Sequence, residues 1–141
     1  MDLREVSDRL EINELLARYC HALDRKDWPT YRALFTPDAA MDFTAFGGPK
    51  GSVADVENFL SPVLDSIAGS EHMASTVIID LDGDSAQARS AAIVPMTTLR
   101  EDGSEHTVFN GLWYEDSLVR TAQGWRINAR TQVRGWVYTP A

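Results

Sequence analysis

The chain has 141 residues, 44% of them hydrophobic and 24% charged, which suits a soluble globular protein with room for one buried core. Its formal net charge of −8 excludes the basic stripe of a nucleic-acid binder and disfavours anionic lipid surfaces. The lone cysteine, Cys20, excludes an intrachain disulfide and a zinc knuckle, and no apolar run opens the chain, so a cytoplasmic protein without a membrane partner is expected.

Two helix-start patterns come first, Asp2 followed by Glu5 and Asp8 followed by Glu11, each a short acceptor three residues before a glutamate. Ile12, Leu15, Leu16, Tyr19 and Leu23 then recur at helical spacing and define an apolar stripe that delivers Asp24 at its end. Asp27 is expected to cap a short second helix carrying Trp28, Tyr31, Leu34 and Phe35, with Pro29 tolerated in its first turn and Thr36-Pro37-Asp38 as its stop. A first strand is predicted from Ala39 to Phe46, closed by a mobile connection, Gly47 to Gly51. A third helix follows over Ser52 to about Ala68, with a kink or break at Pro62.

After Gly69 the pattern changes to strands separated by Asp82-Gly83-Asp84, Asp102-Gly103-Ser104 and Ala122-Gln123-Gly124. The predicted strands are Met73–Asp82, Ser85–Arg100, His106–Arg120 and Trp125–Tyr138, long enough for a curved antiparallel sheet. Helices before a run of hairpins imply a single α+β domain over 1–141, with the helices on one sheet face.

Few residues in this frame can carry chemistry. Asp24 at a helix end and His72 just before a strand would make an acid/base pair if they met in a pocket; a lone histidine at a strand start is otherwise structural or exposed. Asn110 stands among apolar residues of its strand and is read either as a pocket-facing donor or as a satisfied structural amide. In the last strand Arg126, Asn128, Arg130, Gln132 and Arg134 share the parity opposite to Trp125 and Ile127. That set reads as a solvated convex face, with Arg134 nearest a pocket mouth; Arg126, Arg130 and Arg134 could also meet a local anion. Cys20, in apolar company, reads as an inert thiol. The histidines lack metal-ligand spacing, and Asp80, Asp82 and Asp84 lie at a hairpin too tight for a calcium loop, so neither metal nor cofactor is expected.

The run from Ile12 to Phe43, with Leu23-Asp24, Lys26-Asp27-Trp28 and Phe35-Thr36-Pro37-Asp38-Ala39, resembles the SnoaL-like group of the nuclear transport factor 2-like (NTF2-like) superfamily. Glu71-His72-Met73, Gly111-Leu112-Trp113-Tyr114-Glu115-Asp116 and Gly124-Trp125-Arg126-Ile127 extend the resemblance over nearly the whole chain. It implies an NTF2-like, cystatin-like cone, a strongly curved antiparallel sheet wrapped around three helices and an apolar cavity. Among such proteins the chain is most similar to scytalone dehydratase, bile acid 7α-dehydratases and hexachlorocyclohexane dehydrochlorinase. The resemblance implies a histidine base, His72, held by Asp24, with Tyr19 as a further functional residue.

It also implies substrate contacts from Asn110, Arg134, Met96 and Phe43. Met96 stands where scytalone dehydratase has a second active histidine, and Leu23 and Phe43 replace two of its tyrosines, so a drier site is expected. The implied activity is a cofactor-independent, dehydratase-like elimination on a small apolar cyclic substrate. The alternatives are isomerisation or polyketide-type cyclisation with the same pair, or a non-catalytic binding or assembly subunit. A homo-oligomer, dimer or trimer, is expected, with Trp113 and Trp136 as candidate interface aromatics.

Overall fold

The computed structural model describes residues 1–141. Helix α1 spans Leu3–Arg25. Its start is the first of the two expected patterns: the Asp2 carboxylate accepts the Glu5 backbone N–H at 2.8 Å, and Glu5 accepts the Asp2 N–H in return. Those bonds satisfy donors that a helix start leaves orphaned. The second pattern is not a cap, because Asp8 lies inside the helix and is buried. The apolar stripe from Ile12 to Leu23 faces the core.

Helix α2, Trp28–Ala33, is capped by Asp27, which accepts the Thr30 N–H at 3.2 Å. It is shorter than expected. Phe35, Thr36, Pro37 and Asp38 belong to strand β1, Phe35–Asp42, and Thr44–Phe46 forms a 3₁₀ turn. A short apolar run fits either period, and here Phe35 pairs with β-structure instead of closing a helix. The Gly47–Gly51 connection is also ordered. Lys50–Gly51 forms β2 against β1, and the Phe43 N–H is received by the Pro49 carbonyl.

Helix α3, Val53–Ser66, opens with a Ser52/Asp55 capping box and continues through Pro62. Pro62 and Asn58, whose carbonyl loses its helical donor there, are both exposed, so water can serve the freed group. Strands β3 (Gly69–Ser70), β4 (Met73–Asp82), β5 (Ser85–Leu99), β6 (Glu105–Thr121) and β7 (Gly124–Tyr138) complete the chain. The sheet order is β2-β1-β7-β6-β5-β3, with β4 also on β5. The expectation of a wholly antiparallel sheet is corrected at one place: β1 runs parallel to β7. No hairpin joins those two, so no tight turn imposes their direction. The result is a mixed seven-stranded α+β fold, in which α1 packs on β4 and β7 while α3 packs on β1 and β2.

Two register shifts in β7 decide which side chains reach the interior. Leu118 pairs with Ile127 but Ser117 pairs with Ala129, leaving Asn128 as an extra residue; Leu112 pairs with Arg134 but Gly111 pairs with Trp136, leaving Gly135. Each bulge reverses the parity of the residues beyond it. Trp125 and Ile127 therefore point inward before the first bulge, and Arg130 after it.

Candidate functional site

Asp24 is in the last turn of α1, and His72 lies between β3 and β4. Three groups of the β3–β4 segment converge on the Asp24 carboxylate. The His72 backbone N–H reaches Oδ2 at 2.9 Å and Oδ1 at 3.1 Å, and the Ser70 hydroxyl reaches Oδ1 at 3.2 Å. The His72 ring places Nδ1 2.6 Å from Oδ1. An ionised carboxylate only accepts, so Nδ1 is the donor in this contact, and in the neutral imidazole the lone pair is then at Nε2. Nε2 has no partner within the protein, and the imidazole is only 7% exposed. The backbone and hydroxyl bonds hold the carboxylate independently of the ring, which fixes where the imidazole can sit.

His72 forms part of the wall of a cavity of about 290 Å³. Eleven of its fourteen wall residues are hydrophobic, the others are His72, Asn110 and Gln132, and no Lys, Arg, Asp or Glu contributes. Phe43, Phe46 and Phe59 come from the segment around β1 and from α3, and Val94, Met96 and Leu112 from β5 and β6. The volume is at the small end for ligand sites. Asn110 donates to the Val94 carbonyl at 3.2 Å, and its carboxamide oxygen makes no bond inside the protein. The donor end is thus tied to the backbone, as the structural-amide reading has it, and the end left free is an acceptor.

Behind the cavity lies a buried ion pair that the strand parity had placed on the solvated face. Arg130 is 1% exposed, and its Nε and Nη2 donate to the two Asp116 oxygens at 2.7 and 2.9 Å. Its guanidinium carbon lies over two rings set nearly edge to face, 4.2 Å from the Tyr19 centroid and 3.9 Å from that of Tyr114. Burial opposes this charge, but Asp116 outweighs it and the guanidinium holds its proton more tightly than usual. Burial pushes the Tyr19 phenol up to about 12 and the Tyr114 phenol well above its ordinary value, with Arg130 partly opposing both.

Tyr19, Asp24, His72, Asn110, Met96 and Phe43 are therefore brought to one place, five of them in the cavity wall and Asp24 directly behind His72. The Tyr19 hydroxyl is sealed and has no hydrogen-bond partner. Arg134 is not brought there: it is exposed and outside the wall, although Leu112, its partner on β6, is part of it. The suggested Arg126, Arg130 and Arg134 cluster is also absent, since Arg130 turns inward and Arg126 donates to the Trp125 carbonyl. Cys20 is buried, and burial pushes its thiol up. Sequence reasoning missed Tyr114, Gln132 and the Arg130–Asp116 pair; only the bulge at Asn128, which no residue pattern announces, would have revealed the pair.

Three helices packed on a seven-stranded mixed sheet form the NTF2-like, cystatin-like architecture. The chain belongs to the SnoaL-like domain family, whose pattern matches residues 4–131. The uncharacterized protein Rv2910c of Mycobacterium tuberculosis (strain ATCC 25618 / H37Rv) is 37% identical over 134 residues, 95% of this chain and 90% of its own. A candidate scytalone dehydratase from Novosphingobium aromaticivorans shares the fold with a TM-score of 0.84 at 17% identity, over 97% of this chain and 90% of its own. The hexachlorocyclohexane dehydrochlorinase LinA type 2 shares it with a TM-score of 0.84 at 14% identity, over 100% and 94% of the two chains.

Proposed function

We propose that this protein is a cofactor-independent, dehydratase-like lyase that removes a proton from a small, neutral, largely apolar cyclic molecule. The observation that carries the reading is the 2.6 Å contact between Asp24 and the Nδ1 of a histidine that lines the cavity. Asp24 holds the tautomer, so that the Nε2 lone pair is available to the guest, and its charge stabilises the imidazolium formed on proton uptake. The absence of charged side chains from the wall favours a neutral substrate. The family resemblance nominates Tyr19 and Asn110 to meet the departing group or the enolate oxygen, but the Tyr19 hydroxyl is sealed and the Asn110 amide N–H already donates to Val94. The names of the dehydratase and dehydrochlorinase neighbours agree with an elimination, although their low identity speaks only for the fold.

Isomerisation and cyclisation begin with the same proton removal, and the same pair would serve them. A pair lying out of hydrogen-bond reach would have pointed to the non-catalytic alternative; the 2.6 Å contact supports the catalytic reading instead. The test is turnover of small neutral cyclic ketones and alcohols, with the product mass as readout. Loss of water or halide supports a lyase, and an unchanged mass an isomerase. Activity that survives His72→Ala defeats the mechanism.

Self-association is part of the same proposal. Met73, Ile93 and Trp136 are each nearly half exposed and fall in one cross-strand row, with the Trp136 ring lying over Gly111. A second copy seated on this row would cover it, and Gly111→Ala, which displaces the indole, should shift the sedimentation profile toward monomer.

A further inference from the structure

The buried cation behind the cavity is not needed to fill space. A buried ion pair can be replaced by apolar residues of similar volume at little or no cost in stability, so its retention calls for another reason. Three details supply one. Arg130 spends Nε and Nη2 on Asp116, and its Nη1 is buried with no partner, as is the Tyr19 hydroxyl beside it. Native interiors leave few such groups unpaired. The Arg130 guanidinium carbon is closest to Tyr114, 3.9 Å from its ring centroid.

Unlike that of Tyr19, the Tyr114 hydroxyl is not among the sealed groups without a partner, and Gln132 is the side chain that interacts with it. Tyr114 is only 1% exposed and forms part of the cavity wall. Gln132 stands opposite it in the β6–β7 register, in the same wall.

We infer that Tyr114 is the cavity's donor to a ligand oxygen that carries or develops negative charge, and that Arg130 is its positioning residue, a buried cation acting through the tyrosine. The substrate class narrows accordingly to carbonyl or phenolic ring compounds. Their oxygen lies at Tyr114 and the acidic C–H at His72. An oxygen that gains charge as His72 takes the proton meets a donor already oriented and shielded from water, where such a bond is strongest. The inference rests on the proposed reaction only for placing the guest in the same cavity; the donor itself can be tested by binding alone.

The probe is 4-nitrophenol, whose phenolate absorbs visibly and whose neutral form does not, titrated at a pH where the free compound is mostly neutral. Bound to the His72→Gln variant, which removes the wall imidazole, it should show the phenolate band. Tyr114→Phe in that background should weaken phenolate binding by about tenfold or more, while nitrobenzene, which lacks the hydroxyl, binds as before. The double variant Arg130→Gln/Asp116→Asn should lose the band in the same way, and Arg130→Met/Asp116→Leu is the substitute if the first does not fold. The inference is overturned if the probe fails to bind, binds only as the neutral phenol, or keeps its band in Tyr114→Phe or in a folded pair variant. Because His72 is absent throughout, failure of the base mechanism would leave this result unchanged.

Discussion

Helix α1 takes two carboxylates out of water, one near each end, about 24 Å apart at ~1.5 Å per residue. Asp8 accepts from both Nη atoms of Arg120 at 2.8 Å and from the Trp125 indole at 3.0 Å, while Arg120 Nε goes on to Asp84 at 2.9 Å. Every strong donor there has an acceptor, and the cluster ties α1 to the β6–β7 hairpin. Asp24 is held as firmly, by Ser70 and the His72 backbone, but its ring partner retains an open nitrogen facing an apolar cavity. The same residue type on one helix builds a closed brace at one end and a spare proton acceptor at the other. Unspent hydrogen-bonding capacity separates the two, and it recurs at Asn110 in the same wall.

The sharpest way to break this contrast is to remove the acceptor. His72→Ala should lower kcat/KM by about 10²–10⁴ and leave the thermal midpoint nearly unchanged, as read by circular dichroism. Asp24→Asn should cost activity in the same range and also loosen the β3–β4 segment it anchors. The next largest effect concerns the ion pair behind the cavity. Asp116→Ala leaves the Arg130 charge buried and uncompensated, and urea unfolding should show a loss of about 3–5 kcal/mol. Filling the cavity comes third: Val63→Phe should cut nitrobenzene affinity, measured by calorimetry, by about tenfold, with unfolding little affected.

The smallest effect belongs to the closed brace. The Arg120 bond holds the Asp8 carboxyl below its ordinary value. A depressed carboxylate contributes stability that is present above the unfolded value and lost as pH falls through the folded one. Acid titration of unfolding should therefore show a loss below about pH 4 that is reduced in Asp8→Asn, with activity at neutral pH unaltered. If Asp8→Asn abolished activity while His72→Ala did not, the assignment of the two ends would be reversed.

Much of this could be read from the residues. Strand β4 begins and ends where alternation and the Asp82-Gly83 turn place it, and Gly83, Gly103 and Gly124 adopt the positive φ that their turns require. The meeting of Asp24 with His72 was legible because the family resemblance pairs them across 48 positions. Parity failed in β7, because an extra residue at Asn128 exchanges the two faces of the strand. Arg130 and Gln132 look solvated when alternation is counted from Trp125, yet they are interior. Arg134 looked suited to the site by type and place near a strand end, yet its side chain is exposed and outside the wall. The β1 boundary failed for a related reason: Leu34-Phe35 suits either period, and pairing with β7 decides it.

The central claim is that His72 takes a proton from a bound organic guest. Incubation of small neutral cyclic ketones in deuterated water, with NMR of the α positions, measures that step without knowledge of the final product. Deuterium wash-in catalysed by the wild type and lost in His72→Gln is the predicted result. Equal exchange in both proteins, or none above background in either, would contradict it.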